Sequence, residues 1–247
     1  MKASVAELVR LPGVWRGGEL EQSQLPSIAT GHASLDAQLP GGGWPTGSLT
    51  EVLHDSAGIG EITFLASVLA RAAGEDRLIA WINAPHLPYA PALAQAGIPL
   101  ARCLVVRPSH REDALWAAEQ ALKSGACGAV LFWLDGSLRQ RGREKPNEYA
   151  SLRRLQMAAE AGRAIAIHFR STAAERLSTP AHLRVVLQRE EGMLGVRIPK
   201  RRGPPLATPL RIRAGYSPRR APSPAAGLQP STVSVPARAR AFQLVGR

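Results

Sequence analysis

The chain is poor in several things, and each shortage excludes a class of protein. Two cysteines in 247 residues, Cys103 and Cys127, give neither a zinc-ligand spacing nor a disulfide framework. Both have apolar neighbours in sequence, so both are expected to be small core residues in a reducing compartment. Aromatics make up only 5% of the residues, so the core must be built from Leu, Ile, Val and Ala. No apolar run reaches the roughly 18 residues needed to span a bilayer. The first twenty residues lack a continuous apolar stretch and carry Glu7 and Arg10 early, which argues against a signal peptide. A cytoplasmic protein with no membrane contact, no metal and no cofactor is therefore expected. The last absence is local: no Asp or Glu occurs from Gly192 to Arg247.

That acid-free stretch holds eleven basic residues: Arg197, Lys200, Arg201, Arg202, Arg211, Arg213, Arg219, Arg220, Arg238, Arg240 and Arg247. Nearly all of the net charge of +12 resides there. A local basic block suits a polyanion or an acidic protein surface, and it also serves as a solubilising tail. We therefore mark Lys200, Arg201, Arg202, Arg211, Arg213, Arg219, Arg220, Arg238 and Arg240 as candidate partner or polyanion contacts.

Three regions are expected along the chain. Residues 1–28 read as a short amphipathic helix (Val5, Leu8, Val9) and a linker, with Trp15 free to dock on the core or on a partner. Residues 29–213 alternate strand and helix patterns. Strands are expected at Gly47–Leu53, Arg77–Asn83, Cys103–Arg107, Ala129–Asp135 and Ala164–Arg170. Helices are expected at Ile62–Ala73, Tyr89–Ala96, Arg111–Ser124 and Glu148–Gly162, the last with Leu152, Leu155, Met157 and Ala159 as candidate buried positions. Runs apolar on both faces predict an α/β fold with a mostly parallel central sheet flanked by helices. Leu183–Gln188 and Leu194–Pro199 predict an antiparallel hairpin at one edge, turning across Arg189–Met193. Residues 214–247 are rich in Pro, Ser, Ala and Arg, a composition expected to be a disordered tail.

One segment carries chemistry. A P-loop runs from a strand through G-x-x-x-x-G-K-[ST] into a helix. Its amides and lysine hold the phosphates, and its hydroxyl holds magnesium. Here the strand, the loop His54–Gly60 and the helix are all present, with Gly58 and Gly60 in the loop. Glu61 stands where the lysine belongs, Asp55 adds a second acid, and Thr63 is the first hydroxyl after Glu61, one position late for the motif. A like charge at about 4 Å from a phosphate costs about 1–4 kcal/mol. A glutamate in the first helical turn also satisfies the dipole that would otherwise attract an anion. These residues predict a degenerate nucleotide site, filled by its own carboxylate and without ATP hydrolysis.

The stretch Thr30–Val52, TGHASLDAQLPGGGWPTGSLTEV, resembles the lead into the P-loop of the RecA family. Thr30-Gly31, Ser34-Leu35-Asp36, Leu39, Gly41–Gly43, Pro45, Gly47 and Glu51 fall in the family's order. RLIAWINAPHLPYAPALAQAGIPL and HLRVVLQREEGMLGVRIPKRRGPP are similar to the next strand–helix unit and to the closing hairpin, so the resemblance covers about residues 29–213 and implies a RecA-like P-loop fold. The departures fall on chemistry. Where such enzymes carry a catalytic glutamate, this chain has Asn83-Ala84-Pro85-His86. Asp135 is the candidate Walker B acid, but without the lysine it has no magnesium to hold and is expected instead to bond loop amides at its strand end. His168 lies near the position of a nucleotide-sensing glutamine, although a lone strand histidine is more often structural.

A RecA-like core with a broken P-loop and a basic, Pro-rich tail resembles the ImuA family, the SulA/RecA-like translesion-synthesis-associated proteins. The resemblance implies a non-catalytic, damage-inducible (SOS-response) adaptor in error-prone DNA repair. Its implied partners are an ImuB-like Y-family protein, a DnaE-type error-prone polymerase and RecA, with DNA as a further partner for the tail. Two alternatives remain open: a SulA-like cell-division inhibitor binding FtsZ, and a DNA-binding RecA paralogue. The tail's lack of interleaved aromatics argues against a single-strand stacking platform. Ser109 and Asp113 are expected to cap a helix, and Trp44, Trp81, Trp116 and Trp133 to pack in the core.

Overall fold

Long apolar strands need covering on both faces, and this chain meets the need with a sheet between two helical layers. The computed structural model describes residues 26–74, 76–134, 138–140, 147–206 and 208–213. All of them lie in the first of the two units into which the chain divides, Met1–Ser217. The expected N-terminal helix, Trp15, Asp135 and the tail 214–247 lie outside the described residues.

The strands are β1 (Ser27–Ile28), β2 (Trp44–Pro45), β3 (Ser48–Leu53), β4 (Leu78–Ile82), β5 (Cys103–Val106), β6 (Cys127–Trp133), β7 (Ile165–Arg170), β8 (Leu183–Glu190), β9 (Met193–Lys200) and β10 (Leu210–Ile212). The helices are α1 (Ala33–Asp36), α2 (Glu61–Ala73), α3 (Ala90–Gln95), α4 (Arg111–Lys123) and α5 (Glu148–Gly162). An eight-stranded sheet has the order β10-β9-β8-β3-β7-β6-β4-β5. It is parallel from β8 across to β5, and β8, β9 and β10 pair antiparallel at the far edge. The α/β fold with a mostly parallel sheet and an edge hairpin is therefore as the sequence predicts.

Helix α2 covers one face because Phe64, Leu65, Val68, Leu69 and Ala72 recur at helical spacing and are buried. They pack on Val52, Ala129, Leu131, Ile165 and Ile167. Helices α4 and α5 cover the other face through smaller residues, Ala114, Ala118, Leu122, Leu152, Leu155 and Ala159. One glycine permits close packing in each layer. A Cβ at Gly128 would sit 1.7 Å from the Ala72 carbonyl oxygen, and one at Gly162 would sit 1.8 Å from that of Leu122. Arg77 then closes the carboxyl end of α5, donating to the carbonyls of Gly162 (2.9 Å) and Arg163 (3.2 Å).

Several local expectations are corrected. The hairpin turn is tighter than Arg189–Met193: both strands extend to a turn at Glu191-Gly192, each with positive φ. Ser109 does not cap α4. His110 is the N-cap residue, without a side-chain cap bond, and its Nδ1 lies 3.5 Å from Asp113 Oδ2. Trp116 and Met157 are exposed, because each falls on the solvent side of its helix. The ladder β1–β2 and strand β10 are too short for a periodic signal and were not expected. Cys127 is buried and Cys103 half-buried, and burial raises both thiol pKa values.

Candidate functional site

The loop after β3 leaves the sheet at His54, whose amide donates to the Arg170 carbonyl (2.9 Å). Gly58 and Gly60 take φ of 76° and 106°, conformations that bulkier residues resist. This turns the loop amides toward the start of α2. The Glu61 side chain folds back over them. Its Oε1 accepts from the Gly58 amide (3.2 Å) and its Oε2 from the Gly60 amide (3.1 Å). Donors that a P-loop turns toward phosphate are here bonded to the chain's own carboxylate.

Asp55 is exposed. It accepts from the Ser171 hydroxyl (2.8 Å), the Thr172 amide (2.9 Å) and the Thr172 hydroxyl. Those bonds hold its pKa below the usual value and tie the loop to the end of β7. His54 Nδ1 lies 3.0 Å from the Ser56 carbonyl, and its ring meets Phe169 edge-on. Arg189, from the hairpin, donates to the Ile59 carbonyl (3.3 Å). The loop is thus braced from three sides.

Beside it opens a cleft of about 460 Å³ between the start of α2 and the segment leading into α3. Trp81, Trp133, Leu93 and Ile98 form its apolar wall, and Thr63 and Glu61 line it near the loop. Leu87 and Tyr89 stand at its edge, 67% and 72% exposed. No lysine or arginine is among the described residues that line it. The cleft can therefore hold an apolar group, but it offers a polyphosphate no cation and one anion. Asn83, where a base would be sought, donates through Nδ2 to the Trp133 carbonyl (3.0 Å) and joins two strand ends. His168 is fully buried and stacks on Phe132 at 4.8 Å. Burial, with Arg170 and Arg111 nearby, holds its pKa well below the ordinary value.

A chain of charges was not singled out from the sequence. Glu51 is wholly buried in the middle of β3. Its Oε1 accepts from Arg170 Nη1 (2.8 Å) and its Oε2 from Arg184 Nε (2.8 Å). Arg170 Nη2 reaches Glu148 Oε1 (2.6 Å), which lies 3.8 Å from Arg111 Nη2. The available signal was an acid inside the apolar strand SLTEVL, with arginines on the strands that flank it.

The basic candidates separate into different environments. Lys200 donates to the Thr179 carbonyl (2.7 Å), and its burial lowers its pKa. Arg201 donates to the carbonyls of Pro204 (2.6 Å) and Gln38, and Arg202 lies 3.5 Å from His182 Nδ1. Arg211 pairs with Glu190 (3.4 Å), and Arg213 is exposed. Arg219, Arg220, Arg238 and Arg240 lie outside the described residues, as does Asp135. Among the described residues no helix is long and apolar enough to cross a membrane, and no cluster of metal-ligating side chains occurs.

Comparison with known proteins gives consistent matches. The model of the RecA N-terminal domain family matches residues 11–136. The cell division inhibitor SulA of Edwardsiella piscicida is 35% identical over 107 residues, covering 43% of this chain and 58% of SulA. Protein RecA of Thermus aquaticus is 30% identical over 118 residues, covering 48% of this chain and 34% of RecA. The crystal structure of SulA from Pseudomonas aeruginosa aligns at 26% identity over 49% of this chain and 97% of that one, with a TM-score of 0.38. The chain thus spans 58% and 34% of the lengths of these two curated relatives.

Proposed function

The chain belongs to the RecA N-terminal domain family, and on that premise we propose that it is a non-catalytic adaptor of damage-induced, error-prone DNA synthesis. Its work is to bind proteins, and ATP hydrolysis is not its activity. The observation that carries this reading is the Glu61 carboxylate bonded to the Gly58 and Gly60 amides. A nucleotide would have to displace that carboxylate and then tolerate it nearby, with no lysine or arginine among the described residues lining the cleft in return. The partners implied by the ImuA resemblance are an ImuB-like Y-family protein, a DnaE-type polymerase and RecA. The apolar cleft with Leu87 and Tyr89 at its edge is a surface of the kind that protein contacts use.

A second reading has its own support. The 35% identity with a cell division inhibitor SulA favours a division inhibitor acting on FtsZ through the same kind of core.

Two measurements test these readings. Calorimetric titration of the full chain with ATP and magnesium should give no binding heat and no phosphate release; turnover by the unaltered chain would sink the non-catalytic proposal. Capture of purified ImuB-type protein, RecA and FtsZ by the immobilised chain then separates the two readings. Retention of ImuB-type protein or RecA supports the adaptor. Retention of FtsZ alone overturns it in favour of division inhibition.

A further inference from the structure

A second cleft, of about 530 Å³, lies at the opposite ends of the strands from the P-loop. Its size falls within the range of roughly 300–1,000 Å³ in which proteins hold ligands. Ser48 opens β3 and Leu183 opens β8, so the cleft sits where the amino ends of the central strands leave the sheet. Pro26, Pro40 and Pro45 contribute a stiff apolar wall. Arg163, just past the end of α5, lines it from one side, and Arg201 and Arg202, just past β9, line it from another.

Two of the charged groups are fixed in place. Arg201 is held by its bonds to the carbonyls of Pro204 and Gln38, and Arg202 by its contact with His182, which lines the same cleft. Arg163 holds a left-handed backbone with φ of 50°, and its carbonyl is bonded to Arg77. Its guanidinium has no hydrogen-bond or ion-pair partner among the described residues. Three arginines and a histidine face one acid, Glu160, so the cleft carries a positive excess.

The charge of the lining points to an occupant. A carboxylate entering the cleft would accept from the arginines that line it.

We propose that this cleft docks an extended acidic peptide segment of a partner protein, its carboxylate paired with Arg163 and the Arg201–Arg202 pair and its adjacent apolar side chain set against Pro40, Pro45 and Leu183. The proposal rests on the adaptor reading only in requiring a protein partner. Nucleic acid fits less well. No phenylalanine, tyrosine or tryptophan is among the described residues lining the cleft, so bases have nothing to stack on. Glu160 also stands where a phosphate backbone would have to pass, whereas a peptide can offer it an amide or a lysine.

Fluorescence anisotropy with the full chain tests the proposal. The probes are a labelled peptide of alternating Glu and Leu, the same peptide with Gln for Glu, and a labelled oligothymidylate. The Glu peptide should bind at least tenfold more tightly than either of the others. Arg163→Glu should weaken it at least tenfold. Because Arg163 is exposed and its side chain has no partner among the described residues, that change should leave the melting temperature unaltered. A chain with Arg219, Arg220, Arg238 and Arg240 all changed to Gln should bind as before, which separates the cleft from the tail. Equal binding of the Gln peptide, preference for the oligothymidylate, no binding of any probe, or indifference to Arg163→Glu overturns the proposal. Arg163→Glu is also carried into the capture experiment above. If capture of the retained partner survives while the Glu peptide is lost, the adaptor stands and this cleft is not its docking site. If both are lost together, the cleft is the docking site.

Discussion

The two faces of the central sheet are held by different physics. The face under α2 is apolar almost throughout: Val52, Leu131, Ile167 and Phe169 meet Phe64, Leu65, Val68 and Leu69. The face under α4 and α5 begins in the same way, with Leu49, Val130, Ala166 and Leu155. Beside these it carries Glu51, His168, Arg170 and Arg184, which the pairing of β3 with β7 and β8 brings together. Apolar contact is non-directional and tolerates repacking. The ionic chain is directional, since Glu51 accepts from one arginine on each flanking strand. The helix behind the P-loop is thus held by shape, while the far side of the same strand is tied to its two neighbours by charge. The loop His54–Gly60 leaves β3 between these two regimes.

Deleting one member from each face should break the comparison in a measurable way. Glu51→Ala leaves two buried guanidinium groups without their anion, and the loss of stability should be about 3–5 kcal/mol. Leu69→Ala on the apolar face should cost about 2–5 kcal/mol, depending on how far α2 settles into the gap. Denaturant titrations of the two variants give both numbers. The sharper discriminator is a rescue. Replacing Glu51, Arg170 and Arg184 together by apolar residues of similar volume should recover most of the first loss, because the stranded charges then go as well. If Glu51→Ala costs less than about 1 kcal/mol, the charged face is held by its aliphatic residues alone.

The sequence was informative where the pattern is repeated and silent where it is single. Five core strands and four helices announce themselves by runs such as AVLFWLD and by the spacing of Phe64, Val68 and Ala72. The lysine position of the P-loop could be read as Glu61, because the motif fixes the register. That its carboxylate bonds the Gly58 and Gly60 amides follows from the same register. The charged chain could not be read in this way. Glu51, Arg170 and Arg184 are 119 and 133 positions apart, and only the strand order places them together. The same holds for the cleft at the amino ends, whose arginines come from the end of α5 and the end of β9. Trp116 and Met157 misled because residue type suggested burial while helical phase placed them outside.

A smaller effect sharpens the contrast through pH. His168 is buried without a ring-nitrogen partner among the described residues, and its pKa in the folded chain lies well below 6.5. The unfolded chain binds that proton more readily. The stability due to neutral His168 is therefore complete above about pH 6.5 and is lost progressively as pH falls from there toward the folded value, with a slope of up to about 1.4 kcal/mol per pH unit. His168→Phe keeps a ring against Phe132 and should flatten stability between about pH 6.5 and 5. The carboxyls of Glu119 and Glu175, held below their usual value of 4.5, titrate below that window. An unchanged slope in the variant would assign it elsewhere.

The smallest expected effect is the control that gives the largest its meaning. Arg102 and Asp76 form an ion pair at 3.1 Å, close to the Arg170–Glu51 distance of 2.8 Å, but the Asp76 side chain is 92% exposed. Asp76 keeps nearly all of its hydration whether the pair is closed or open, so Asp76→Ala should change stability by no more than about 1 kcal/mol. Geometry alone would rank the two pairs as near equals. If denaturant midpoints also rank them as equals, distance sets their worth and the buried chain has no special role. If Glu51→Ala costs several times more, the difference comes from what surrounds the pair. A guanidinium left behind at the surface recovers water, and one left behind between β3 and α5 does not.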